Sequence, residues 1–251
     1  STLEFDGTAE PARLNSALLI DPKSENAGPR YDKVQLVMFG EYIPFSKFLP
    51  DDFFLKTLCQ EAGRGSGPVA MPLRIPSPLG ERVRVRGNDE NFTVNICFES
   101  TIPHFVRQQL GKVRERKIEP AILVNLSNDG WFRLTPENEL HLATNVFRAV
   151  ENRKATASAS NGGAAALIDS DGTILKRGRR GEAESLVHDL HLDSRRSVYS
   201  VWGDTYAFGC LFGTLFIAIS PLTARAKRRH TRRHAHSDDA HNGSGRLSGD
   251  R

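Results

Sequence analysis

Cysteine is scarce in this sequence: Cys59, Cys97 and Cys210 are the only three in 251 residues. An odd number at wide, irregular spacing builds neither a disulfide framework nor a zinc-ligand pattern, and leaves a single reactive thiol as the feature to look for. A body-wide surplus of positive charge is lacking too. The formal net charge is +4, yet Arg225, Lys227, Arg228, Arg229, Arg232 and Arg233 supply six positive charges, so the rest of the chain sits at about −2. That excludes a nucleic-acid-binding body with a basic face. No internal repeat is visible, and 39% hydrophobic with 25% charged residues are ordinary globular proportions, which excludes wholesale disorder. No Met-led, positively charged leader opens the chain, which begins at Ser1, so the N-terminus reads as a cut or processed end.

What is present falls into three stretches. Residues 1–203 carry short apolar runs, turn signals and one long amphipathic segment, and read as the folded domain. Within residues 204–224, the run YAFGCLFGTLFIAISPLTA (206–224) holds no charge. At 1.5 Å rise per residue it would extend roughly 28 Å as a helix, close to the hydrocarbon thickness of a bilayer. A buried core helix is the alternative, since Gly209, Gly213 and Pro221 weaken the pattern. The Lys/Arg cluster that follows at once is the positive-inside arrangement, and favours a membrane span with residues 225–251 as a cytoplasmic, disordered tail. His230, His234, His236 and His241 in that tail could bind a metal, but a solvated tail is the expectation.

Within the first stretch, SALLID (16–21), FTVNIC (92–97) and AILVNL (121–126) are candidate strands. A helix is expected through HFVRQQLG (104–111). A second opens at Thr135-Pro136, with Thr as N-cap and Pro in the first turn, and Leu140, Ala143, Phe147 and Val150 along one apolar face. ATASAS (155–160), a turn at Asn161-Gly162-Gly163, AAALID (164–169), a turn at Asp171-Gly172 and TILKR (173–177) complete a mixed α/β or α+β pattern.

Three segments carry candidate chemistry. Cys97 closes an apolar strand ahead of Phe98-Glu99-Ser100. A thiol at a strand-to-helix turn can project into a cleft beside backbone N–H groups, although a lone cysteine is more commonly a buried structural one. Lys33 and Glu41 lie eight residues apart around an expected short strand. A lysine beside a thiol favours the ionised sulfur and can hold a developing oxyanion, whereas a surface ion pair is the plainer reading. Asn128-Asp129-Gly130-Trp131 follows a strand and is generic turn chemistry, with Trp131 open to a plain core role.

Taken together, YDKVQLVMFGEYIPF (31–45), NICFES (95–100), VNLSNDGWF (124–132), FRAVENRKATASASNGG (147–163) and VYSVWGDTYAF (198–208) resemble the apolipoprotein N-acyltransferases of the nitrilase superfamily, in order and approximate spacing. The resemblance implies an α/β, nitrilase-like α-β-β-α sandwich followed by one transmembrane helix. It implies a Glu-Lys-Cys site in which Cys97 is the nucleophile and Lys33 the triad lysine, with Glu41 and Glu99 as further catalytic glutamates. Phe98, Asn128, Trp131 and Tyr42 would support the site or bind substrate. The implied reaction moves an acyl chain from a phospholipid through a Cys97 thioester to the N-terminal amine of a diacylglyceryl-cysteine lipoprotein, with no metal or organic cofactor. Such an enzyme works in the bacterial inner membrane, with its catalytic domain on the periplasmic side, and its partners are the phospholipid donor, the diacylated apolipoprotein and the membrane, not nucleic acid.

The sequence departs from that family in three places. Phe98 stands where the family usually has Tyr, and Met38 where Pro is common. The family's general-base glutamate, on an early strand in a Pro-Glu context, has no counterpart: Glu4 and Glu10 are the only glutamates before SALLID, and neither matches. The chain is therefore expected to be the C-terminal part of a longer protein. The rival expectations are a membrane-anchored nitrilase-type amidase that passes the acyl group to water, and an inactive remnant. Finally, Phe45, Phe48, Leu49, Phe53, Phe54, Leu55 and Leu58 form an apolar cluster that could be a lid dipping into lipid or a loop packed on its own domain.

Overall fold

The computed structural model describes residues 2–4, 12–20, 28–50, 54, 56, 59, 62–73, 91–132 and 135–219. The chain divides into two compact units, residues 1–201 and 202–251.

The first unit is built on a six-stranded mixed sheet. Its centre is three parallel strands, β6 (Asn91–Ile96), β7 (Pro120–Asn128) and β8 (Ala155–Asn161). Parallel neighbours need a long crossover. Helix α1 (Pro103–Glu115) supplies the first and α2 (Glu137–Asn152) the second. Antiparallel strands finish both edges: β5 (Ala70–Pro72) on β6, and β9 (Ala166–Ile168) then β10 (Ile174–Arg177) beyond β8. The Asp171-Gly172 turn joins the last two, with Gly172 at a φ of 92° and its N–H donating to the Asp169 carbonyl at 2.9 Å. Two short antiparallel ladders lie outside this sheet: β1 (Thr2–Glu4) with β2 (Ala12–Leu14), and β3 (Ser16–Leu18) with β4 (Arg30–Asp32). The layering is α/β, as expected. Among the described residues these are two separate two-stranded ladders, and they are not joined into the second sheet of the expected sandwich.

Strand alternation sends the two faces of β6 to different cores. Val94 and Ile96 pack with Ala17, Tyr31 and Met71 on the β3–β4 side. On the other side Leu123 of β7 meets Phe105, Val106 and Leu110, three residues on one stripe of α1. Pro103 suits the first turn of α1, where its missing N–H leaves no partner unsatisfied.

Helix α2 turns over the sequence expectation. Leu140 and Phe147 are 64% and 61% exposed, and Val150 is exposed as well. The buried face carries Asn138, His141, Asn145, Arg148 and Asn152, with Leu142 and Ala149 as its apolar contacts to Ala164, Ala166 and Ile168. The cause lies beneath the helix. Asn95, Asn125 and Ser158 stand side by side across β6, β7 and β8, all buried, and Asn145 donates to the Ser158 hydroxyl at 3.1 Å. The polar side of the helix lies on this polar sheet surface: Asn145 answers Ser158, while among the described residues Asn95 Oδ1 and both amide atoms of Asn125 have no hydrogen-bond partner.

In the second unit, residues 205–219 are helical, and Tyr206, Phe208, Phe212, Phe216 and Ile217 are exposed. Among the described residues no helix is long and apolar enough to cross a membrane. The rest of the expected span, 220–224, and the whole tail 225–251 with its four histidines lie outside the described residues, as do Phe53, Leu55 and Leu58.

Candidate active site

Strand β6 ends at Ile96 and the backbone turns sharply at Cys97, whose φ is 54°. A non-glycine residue in that region is strained by roughly 1 kcal/mol or more, and persists where its surroundings over-determine it. A 3-10 turn, Cys97–Thr101, follows directly. Its carbonyls are held from within: Ser100 Oγ donates to the Cys97 carbonyl at 3.3 Å and Thr101 Oγ1 to the Phe98 carbonyl at 2.7 Å. The Cys97 side chain is half-buried at the apex of this elbow.

Lys33 and Glu41 form an ion pair, but not a surface one. The Lys33 side chain is 1% exposed and its Nζ lies 2.8 Å and 2.7 Å from the two Glu41 carboxylate oxygens. No strand lies between them. The chain instead folds back in a tight turn, with the Glu41 and Tyr42 N–H groups on the Val37 carbonyl. Glu41 also accepts the Val37 N–H at 2.9 Å and the Asn15 amide at 3.3 Å, so its carboxylate closes the turn that presents Lys33.

Glu99 joins the two segments. It is fully buried, and Oε1 accepts the N–H groups of Val34 (2.7 Å) and Gln35 (2.9 Å), which follow Lys33 directly. Oε2 accepts the Ile96 N–H and the Tyr31 hydroxyl, each at 2.8 Å, and Gln109 Nε2 donates to that hydroxyl at 2.7 Å. One carboxylate thus ties the residue before Cys97 to the two after Lys33. Burial raises its pKa above the ordinary value although all four donors pull the other way. Burial, and then the Glu99 charge, push the Tyr31 hydroxyl far above its usual range.

A third group beneath the elbow was not foreseen. His141, on the buried face of α2, sets Nε2 3.1 Å from the Cys97 carbonyl and 3.2 Å from Ser100 Oγ. Its Nδ1 lies 2.8 Å from Asp129 Oδ1. Asp129 also accepts the hydroxyls of Ser127 and Ser160. Burial raises the Asp129 pKa, but His141 and the two serines outweigh it and hold the carboxyl below its usual range. The turn over Asp129 requires glycine: Gly162 has a φ of 77°, and a Cβ on Gly163 would come within 2.6 Å of Asp129 Oδ2. Arg148, about two helical turns beyond His141, donates to the Ser100 carbonyl at 3.0 Å. The available signal for this group was the row of polar residues at 138, 141, 145, 148 and 152, all on one side of a helix.

The remaining expected residues stand at the surface of the site segments. Phe98 is exposed beside Cys97. Tyr42 is half-buried under the Arg64 guanidinium, 5.2 Å from its ring centre. Asn128 Oδ1 accepts Asn161 Nδ2 at 3.0 Å, across to the tip of β8. Trp131 is 82% exposed and is not core. Phe45 and Phe48 are exposed too, so these members of the apolar cluster are not packed on their own domain. Among the described residues no group of three or more His, Cys, Asp or Glu side chains is placed to hold a metal ion.

A cysteine at a strained elbow, a buried lysine paired with a glutamate, and a second glutamate locking the two together suit attack on a carbonyl carbon through a covalent intermediate. The carbon-nitrogen hydrolase family model matches residues 2–199. The chain is 32% identical over 217 residues to the apolipoprotein N-acyltransferase of Geobacter metallireducens, covering 86% of this chain and 37% of that protein. It is 33% identical over 174 residues to that of Bdellovibrio bacteriovorus, covering 68% and 28%. The chain therefore spans less than two-fifths of the length of these curated relatives. Among solved structures it is similar to Saccharomyces cerevisiae Nit3, a member of branch 10 of the nitrilase superfamily, at 15% identity with a TM-score of 0.44, covering 68% of this chain and 51% of that one. By its sequence match over most of its length, the chain belongs to the carbon-nitrogen hydrolase family.

Proposed function

We propose that this chain carries the acyl-transfer site of an N-acyltransferase of lipoprotein maturation, with Cys97 as nucleophile. The observation that carries the reading is the elbow itself: Cys97 at positive φ, tied through Glu99 to the loop that presents Lys33. Its likeness over 86% of its length to a curated apolipoprotein N-acyltransferase supports transfer rather than hydrolysis. The donor is a phospholipid. The Cys97 sulfur forms a bond to the ester carbonyl carbon, the carbon–oxygen bond breaks, and the thiol proton ends on the departing lysophospholipid oxygen. In the second step the N-terminal amine of a diacylglyceryl-cysteine lipoprotein attacks the thioester, the carbon–sulfur bond breaks and an amine proton returns to sulfur. Lys33 stabilises the oxyanion of both tetrahedral intermediates, Glu41 orients Lys33, and Glu99 fixes the distance between the lysine and cysteine segments. Phe98, Tyr42, Asn128 and Trp131 border the substrate.

Residues 204–224 are read as a membrane span with the Arg225–Arg233 cluster on the cytoplasmic side and the site on the periplasmic side. The exposed aromatic and aliphatic side chains of the helical residues 205–219 support this. An alkaline phosphatase fused after His241 should be inactive, and an active one would reverse the orientation. For the chemistry, the protein in detergent is incubated with a labelled phospholipid. A hydroxylamine-sensitive label on Cys97 is expected to persist in buffer and pass to an added diacylated lipopeptide. Rapid loss to water would make the protein an amidase-type hydrolase instead, and absence of any Cys97 label would make this chain the inactive remnant and refute acyl transfer by it.

A further inference from the structure

The Cys97 elbow is gripped from below by the polar face of α2, and one of the two grips is titratable. His141 Nδ1 faces Asp129 Oδ1 at 2.8 Å, and Nε2 faces the Cys97 carbonyl at 3.1 Å. A carbonyl and a carboxylate both only accept. Asp129 takes the Ser127 and Ser160 hydroxyls as well, which suits the ionised form. Ser100 Oγ, 3.2 Å from Nε2, already donates to the Cys97 carbonyl, so it too is an acceptor toward the ring. Both ring nitrogens therefore carry hydrogen.

We propose that His141 is a positioning residue: held as an imidazolium by Asp129, it grips the Cys97 carbonyl through Nε2–H and keeps the nucleophile elbow at its positive φ. The proposal rests on the reading of Cys97 as nucleophile. The charged groups about the ring are Asp129 from the turn after β7, Lys33 from the loop after β4, and Arg148 on the same helix, itself committed to Glu151 and the Ser100 carbonyl. Lys33 opposes the imidazolium, but Glu41 lies against its ammonium. Burial drives the ring toward neutrality. The hydrogen bond and charge of Asp129, with the Cys97 carbonyl, outweigh it and raise the ring's pKa above the ordinary value.

The test compares wild type with His141→Gln and Asp129→Asn in the full chain, following alkylation of Cys97 by iodoacetamide at pH 7 and at pH 10 by mass spectrometry. At pH 7 both variants should react on the order of tenfold more slowly, as expected for losing one hydrogen bond from a charged donor. By pH 10 the gap should have closed to within about twofold, because the proposal ties it to the ring's own proton. Equal rates at pH 7, or an equal deficit at both pH values, would overturn the proposal, because a purely structural role is blind to the ring's proton. Should either variant fail to fold, nitrogen-15 spectra of histidine-labelled wild type decide. Two protonated ring nitrogens on His141 at pH 7 support the grip, and a neutral ring refutes it. A wild-type Cys97 that is inert at both pH values would sink the nucleophile reading, and this inference with it.

Discussion

Replacing Glu99 by glutamine keeps the shape of the side chain and removes one acceptor oxygen, so it probes the tie between the two halves of the site alone. In the wild type each carboxylate oxygen takes two hydrogen bonds: Val34 and Gln35 N–H on one, Ile96 N–H and the Tyr31 hydroxyl on the other. An amide must turn its NH2 toward one of those pairs. Facing Val34 and Gln35, it leaves two buried backbone N–H groups unpaired. Facing Ile96 and Tyr31, it leaves one, since the Tyr31 oxygen can accept, although Gln109 already donates to it. Each unpaired buried group costs about 1–3 kcal/mol. The easier orientation therefore costs about 2 kcal/mol, and the harder one about twice that. Relief of the buried charge offsets part of this, because burial has already raised the Glu99 pKa. The expected net loss is about 1–2 kcal/mol, or a fall of roughly 2–8 °C in Tm for a unit of this size. Cys97 alkylation should slow in parallel, since the residue before the cysteine has lost its anchor. Thermal unfolding and alkylation on the same preparation provide the check. A Glu99→Gln protein within 0.5 kcal/mol of wild type, with unchanged Cys97 reactivity, would refute the claim that this carboxylate locks the elbow to the lysine loop.

Two further outcomes follow from groups outside the site. Burial pushes the Glu119 carboxyl up, but Arg114 and Lys154, the latter with its Nζ at 2.8 Å, outweigh it and hold it down, at about 2. A depressed carboxylate contributes stability above its unfolded value and loses it as pH falls through the folded one. The urea midpoint of Glu119→Gln should therefore lie below wild type at pH 7 and converge on it between about pH 4.5 and pH 2; a constant difference across that window would contradict the pairing. Phe147→Glu, on the exposed side of α2, should change stability by no more than about 0.5 kcal/mol. A loss of 3 kcal/mol or more in urea denaturation would restore the apolar side of the helix as its buried face.

The strands were legible because short apolar runs between turn residues have few other uses: SALLID, FTVNIC, AILVNL, ATASAS and TILKR all contain or overlap strands of the structure. The helix after Thr135-Pro136 was legible as a helix and not as a surface. Periodicity groups Leu140, Ala143, Phe147 and Val150 on one side and Asn138, His141, Asn145, Arg148 and Asn152 on another. It cannot say which side the rest of the fold will accept. The answer depended on Asn95, Asn125 and Ser158 meeting across three strands distant in sequence. Lys33 and Glu41 pair in the structure, whereas the strand expected between them is a turn closed by Glu41 itself. Asp129 was hidden for a related reason: Asn-Asp-Gly is ordinary turn chemistry until His141 arrives from 12 residues away.

The grips on the elbow fall almost wholly on backbone atoms. Glu99 holds the Ile96 N–H, His141 the Cys97 carbonyl, Arg148 the Ser100 carbonyl and Thr101 the Phe98 carbonyl. Residue 98 is held by its carbonyl while its ring points to solvent. The elbow therefore does not depend on which aromatic ring stands there, and phenylalanine in place of the tyrosine usual in the family that the sequence resembles leaves the position of Cys97 unchanged. What the substitution alters is the surface beside the sulfur, where a hydroxyl is replaced by an apolar edge. Under the proposed acyl transfer its consequence falls on substrate binding, and a Phe98→Tyr variant should shift KM for the acyl donor with little effect on the alkylation rate of Cys97.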